Sequence, residues 1–70
     1  MTTEEIIKSF IIDRKVTNIG ALKKMVKDFK KEARDRSMPV DYRRLYKRLV
    51  KLTRANLREE QAELHRLKTT

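Results

Sequence analysis

The stretch Tyr42–Arg58, which reads YRRLYKRLVKLTRANLR, decides how the chain folds. At about 3.6 residues per helical turn, its side chains separate into two arcs. The apolar arc contains Tyr42, Leu45, Tyr46, Leu49, Val50, Leu52, Thr53 and Leu57, with Asn56 among them; the basic arc contains Arg43, Arg44, Lys47, Arg48, Lys51, Arg54 and Arg58. Such a helix is expected to pack its apolar side against protein and to expose its basic side.

This helix is expected to begin just after the sequence Ser37-Met38-Pro39. Proline has no amide hydrogen and disfavours a helical residue before it, so a preceding helix should end by about Arg36. Proline is accepted in the first turn of a new helix, and Asp41 supplies an acid there. A helix over about residues 39–67 is therefore predicted. Its last turns should extend beyond the bundle, because its apolar arc thins after Leu57.

Two shorter helices are predicted before it, over about residues 3–14 and 18–36. Thr2 or Thr3 can cap the first helix, and the stretch from Lys15 to Asn18 interrupts the apolar pattern with weak helix formers. Gly20, the only glycine, is explained by close packing against the first helix. The alternative is one unbroken helix from Thr3 to Arg36.

The predicted fold is therefore a single all-α domain of residues 1–70, with three helices and a long C-terminal one. Seventy residues bury only a modest core, so a homodimer is an expected source of further stability. The expected core is Ile6, Ile7, Phe10, Ile11, Ile19, Leu22, Val26, Phe29, Tyr42, Leu45, Tyr46, Leu49 and Leu52, with Met25 as an optional member.

The positive charge is confined to one part of the chain. Residues 1–22 and 55–70 are each neutral, and the whole net charge of +9 lies in residues 23–54. A concentrated excess of this kind is typical of a surface that binds a polyanion. Non-enzymatic binding of nucleic acid is therefore the predicted function, with double-stranded DNA favoured over RNA. A merely solubilising surface is the alternative explanation of the charge.

The candidate nucleic-acid-binding residues lie on the second and third predicted helices. They are Lys23, Lys27, Lys30 and Arg34, followed by Arg43, Arg44, Lys47, Arg48, Lys51, Arg54 and Arg58. Arginine can hold a phosphate or a guanine edge with two hydrogen bonds, so the third helix is expected to make the directional contacts. It would lie along a groove or the backbone. A helix-turn-helix formed by the first two helices, typical of a transcription regulator, is the less favoured arrangement.

Catalysis and cofactor binding have little support in the sequence. One glycine cannot form a Gly-rich phosphate loop, there is no cysteine, and the single histidine, His65, lies near the end of the chain. We therefore expect no enzyme activity, no metal, no cofactor and no small-molecule substrate. No apolar run approaches the ~20 residues of a membrane span, and the N-terminus is acidic. A soluble intracellular protein, cytoplasmic or in the nucleoid or nucleus, is expected.

A protein-interaction module or adaptor is the alternative function. Asn56, Leu57, Leu64 and Leu67 form a partly polar stripe near the end of the long helix, of the kind by which helices pair in a fixed register. This stripe could bind a helical or acidic partner, or a second copy of the chain.

Overall fold

The computed structural model describes residues 1–69, which form two long helices and no strand. Helix α1 spans Thr3–Arg34 and helix α2 spans Val40–Thr69, and they pack antiparallel as a hairpin. The Cα atoms extend over 54 × 14 × 12 Å, with a radius of gyration of 16.3 Å. A compact domain of this length has a radius of gyration of about 11 Å. The molecule is therefore a rod.

The two helices meet along a seam with the spacing of a coiled coil. The seam residues, all buried or half-buried, are Ile12, Lys15, Ile19, Leu22, Val26, Phe29 and Ala33 of α1, and Arg43, Tyr46, Val50, Thr53, Leu57, Glu60, Leu64 and Leu67 of α2. Alternating steps of three and four keep these positions on the facing sides of both helices. Among residues 1–69, only Ile19, Val50 and Thr53 have less than about a tenth of their surface exposed, and none of the three is completely covered.

Two contacts fix the register of the hairpin. The Phe29 and Tyr46 rings lie 6.0 Å apart between centroids, near the connecting turn. Toward the other end, Lys15 Nζ donates to Glu60 at 3.2 Å and also to Glu63. A buried or half-buried polar group in a seam favours the one register in which it finds its partner.

The turn between the helices is held by Asp35. Its carboxylate accepts hydrogen bonds from the Ser37 backbone amide at 2.9 Å and from the Ser37 hydroxyl at 2.6 Å. These bonds hold the pKa of Asp35 below its usual value. At the other end of α1, the Thr2 hydroxyl caps the helix by accepting from the Glu5 amide.

The prediction of separate helices over 3–14 and 18–36 is wrong. Helix α1 continues through Lys15–Asn18, and within this stretch the Thr17 hydroxyl donates to the Asp13 carbonyl at 3.1 Å. Packing of Lys15 and Ile19 against α2 outweighs the low helix propensity of the residues between them. The helix-turn-helix is not confirmed, because the turn that it requires is absent from α1. The unbroken-helix alternative describes α1, which ends at Arg34.

The third predicted helix corresponds to α2, with a start and an end within two residues of the prediction. Its last turns do not extend beyond the bundle, since Glu63 contacts Lys15 and Leu67 lines a cleft with Ile11. Because α1 is continuous, it is long enough to cover the whole length of α2.

The prediction is wrong for eight of the expected core residues. The side chains of Ile6, Ile7, Phe10, Ile11, Met25, Tyr42, Leu45 and Leu52 are all exposed. A single partner helix covers only a narrow stripe, whereas a three-helix bundle would cover a wide arc. The packing explanation for Gly20 is also wrong, because apart from its chain neighbours and the backbone of its own helix no heavy atom lies within 4 Å of where its Cβ would stand.

Within residues 1–69, neither helix has both the length and the apolar character needed to cross a bilayer.

Candidate nucleic-acid interface

One side of the hairpin is basic on both helices. A cleft between the helices is lined by Lys30, Ala33, Arg34, Lys47 and Val50, so cations of α1 lie beside a cation of α2. Further cations, spaced three or four residues apart, continue this side along both helices. We call it the basic flank; its members are Lys23, Lys27, Lys30 and Arg34 of α1, and Arg44, Lys47, Lys51, Arg54 and Arg58 of α2.

The α2 row of the basic flank forms a continuous shallow groove. Lys47, Lys51, Arg54 and Arg58 line it together with Val50 and Ala55. All four cationic side chains are exposed. Steps of three and four residues place them one above another on the helix surface, so the row is straight.

The carboxylates nearest the basic flank lie at its border on α1 and in the seam. Asp28 and Glu32 follow the opposite side of α1 but, with Asp35, line a surface depression that also contains Lys27, Lys30 and Arg34. Glu60 and Glu63 lie at the seam with Lys15. Within residues 1–69, no member of the basic flank forms an ion pair with an acid. Its cations are therefore available to an external anion.

Lys15 differs from these cations because it is held inside the hairpin. Its side chain is 20% exposed, and its hydrogen bonds to Glu63 and then Glu60 raise its pKa above the ordinary value. The hydrogen bond from Lys15 likewise lowers the pKa of Glu63. This cluster pairs one ammonium group with two carboxylates between the helices, so both acids have a cationic partner there.

Two arginines of the predicted basic arc lie elsewhere. Arg43 occupies the seam near the turn, half-buried, and its Nε atom is buried with no hydrogen-bond partner among residues 1–69. Its positive charge contributes to the lowered pKa of Asp35. Arg48 is exposed on the outer face of α2, the side that points away from α1.

Two further lysines lie beside the basic flank. Lys24 and Lys31 are exposed on the outer face of α1. Lys31 lines the surface depression that also contains Lys27, Lys30 and Arg34.

The predicted partner-binding stripe is divided by the fold. Leu57, Leu64 and Leu67 are half-buried and face α1. Asn56 is exposed and lines a cleft with Asn18, Ala21, Leu22 and Glu60. The three leucines therefore pack within the hairpin and do not form an open stripe with Asn56.

No group of three or more acidic or histidine side chains within residues 1–69 is arranged to hold a metal ion. Comparisons of the chain with protein-family models, with curated proteins and with solved structures find no match. Function must therefore be argued from geometry and charge.

Proposed function

We propose that the hairpin binds the phosphate backbone of nucleic acid through its basic flank, with duplex DNA as its target and without catalysing a reaction. The observation that carries the proposal is the meeting of two cationic rows, one from each helix, at the cleft between Lys30, Arg34 and Lys47. Counterions released from phosphates on binding would provide the driving force.

The length of the two rows suits several phosphates. From Lys23 to Arg34 the α1 row covers about 16 Å, and from Arg44 to Arg58 the α2 row covers about 21 Å, at 1.5 Å per residue. Phosphates on one DNA strand follow each other at about 3.4 Å along the axis. Each row therefore passes about five or six phosphates of one strand.

The shape of the flank favours contact with the backbone over reading of bases. Two helices side by side, with axes 8–10 Å apart, are about 20 Å wide, whereas the major groove is about 12 Å wide. The flank cannot enter the groove as a whole. Binding should therefore depend weakly on sequence.

The composition of the flank favours duplex DNA over the other nucleic acids. Single-strand binding relies on aromatic platforms, and the flank has no aromatic side chain. Recognition of duplex RNA uses its A-form shape and its 2′-hydroxyls as well as its phosphates, whereas the two straight rows supply only cations for phosphates.

Fluorescence anisotropy tests the proposal with the whole chain. The probes are two unrelated 20-base-pair DNA duplexes, one single strand and one RNA duplex, each at 0.05 and 0.2 M salt. We expect similar affinity for both DNA duplexes and weaker binding of the other probes. Five phosphate contacts should give an affinity loss of about 500-fold between the two salt concentrations. Binding that is absent, insensitive to salt, or tightest for single strands or RNA would contradict the proposal.

A further inference from the structure

The flank opposite the basic one is rich in exposed apolar side chains. A cleft lined by Ile11, Lys15, Glu63, Arg66 and Leu67, and the Asn18–Asn56 cleft, both open on this side. The helical spacing places charged residues on this side, among them Asp28, Glu32 and Glu63, together with seven apolar residues. We call these seven the apolar flank: Ile7, Ile11 and Met25 of α1, and Tyr42, Leu45, Leu49 and Leu52 of α2. Leu49 is half-buried and the other six are exposed.

The hairpin exposes more surface than a folded monomer of its mass. Its accessible surface is 6024 Å², against about 4,600 Å² expected for a compact protein of 8.4 kDa. The excess of about 1,400 Å² falls within the roughly 1,000–2,500 Å² that each partner buries in an obligate homodimer. A single copy of this hairpin therefore exposes about as much extra surface as one partner buries in a homodimer.

We propose that a second copy of the chain packs against the apolar flank, giving a four-helix assembly. Tyr42 is at the level of Ala33, and from there to Leu52 the larger part of the flank covers about 15 Å of the rod. Ile7 and Ile11 form a smaller part, which begins about 18 Å further along. Two copies packed side by side along the rod would cover both parts. The same patch on both copies forms an isologous contact about a two-fold axis.

The distribution of charge explains why the copies meet on this side. Packing two basic flanks together would bring nine unpaired cations against nine, which repel each other. Packing two apolar flanks leaves both basic flanks on the outside of the assembly. The dimer is therefore compatible with nucleic-acid binding but does not depend on it.

A second exposed cluster is too small to supply this interface. Ile6 and Phe10 lie on the side of α1 that points away from α2, and Phe10 is 72% exposed. They are separated by one turn, about 6 Å of a rod whose Cα atoms extend over 54 Å. They provide a matched control, because they are equally apolar but lie off the apolar flank.

Sedimentation velocity of the full chain from 2 to 200 µM tests the proposal. The wild type should sediment as a dimer at the upper end, and L45E/L52E should sediment as a monomer. I6E/F10E, which introduces the same charges off the flank, should still form the dimer. A monomeric wild type at 200 µM, or a dimer abolished by I6E/F10E and retained by L45E/L52E, would overturn the proposal.

Thiol labelling keeps the test decisive if L45E/L52E does not fold. The chain has no cysteine, so M25C and K24C each introduce a single thiol on adjacent residues. The labelling rate of M25C, on the apolar flank, should fall at least fivefold as its concentration rises from 2 to 200 µM, whereas that of K24C should stay constant. If the labelling rate of M25C is independent of protein concentration, the apolar flank stays exposed to solvent or binds a different partner, and the proposed dimer is wrong.

Discussion

Replacing Lys47 and Arg54 by alanine removes two cations from the centre of the basic flank without disturbing the seam. Lys47 lines the cleft with Lys30 and Arg34, and Arg54 lies two turns further along the same row. Both side chains are exposed, and neither forms an ion pair within residues 1–69. Alanine is also the best helix former, so the hairpin should remain folded.

The expected loss of affinity follows from the two contacts removed. Each phosphate contact to B-DNA contributes about 0.9 to the slope of log K against log salt concentration. With about five contacts, the wild-type slope is about −4.5, and K47A/R54A should give about −2.7. At 0.1 M salt, two contacts correspond to about 1.8 logarithmic units, so the dissociation constant should rise about 60-fold.

Anisotropy titrations of one DNA duplex at four salt concentrations measure both quantities. The matched control is R14A/R66A, which also removes two cations but takes them from the opposite side of the hairpin, where Arg66 lines the cleft with Ile11. Both variants lower the net charge of +9 by two. If only overall charge matters, the two variants will lose affinity equally, and the assignment of the basic flank is refuted.

Three further predictions concern stability, each measured on the whole chain. Gly20→Ala should raise the free energy of unfolding in urea by about 0.5–1 kcal/mol, because the added methyl group meets no neighbour and alanine favours the helix; destabilisation would indicate an unseen contact. Ile19→Ala should lower it by about 2–3 kcal/mol, since Ile19 is 7% exposed, whereas Phe10→Ala should change it by less than about 0.5 kcal/mol. Folding lowers the pKa of Glu63 below its ordinary 4.5 and raises that of Lys15 above its ordinary 10.5. Their pairing therefore stabilises the fold fully from about pH 5 to 10, and this stability is lost as the pH falls through the lowered carboxyl pKa or rises through the raised ammonium pKa. Lys15→Met should flatten both ends of the melting temperature profile between pH 3 and 11, and an unchanged profile would show that the pair does not form in solution.

Local patterns in the sequence predicted the features that depend on neighbouring residues. Pro39 placed the break between helices, and the periodic arcs of residues 42–58 predicted α2 to within two residues at each end. The interruption at Lys15–Asn18 was misleading because helix propensities are small, about 0.7 kcal/mol or less per ordinary residue, and packing against a partner helix readily exceeds them.

The basic flank also depends partly on local pattern and partly on how the two helices pack. The separation of apolar and basic residues along α2 was visible as helical periodicity, but nothing local indicated that Lys30 and Arg34 would lie beside Lys47. That neighbourhood depends on the antiparallel register, which Lys15, Glu60 and Glu63 fix across a separation of more than 40 residues in sequence. Arg43 shows the reverse: the local pattern put it on the basic arc, but the register places it in the seam between the helices.

By itself, the sequence determined that the chain is helical, that it turns at Ser37–Pro39 and that its charge excess lies in the middle of the chain, because each of these follows from residues close together in sequence. Only the tertiary structure decided which apolar residues are covered and which cations share a surface. The physical reason is that one partner helix shields a narrow seam, and the pairing register then decides which residues of the two helices share a flank and which lie on an outer face.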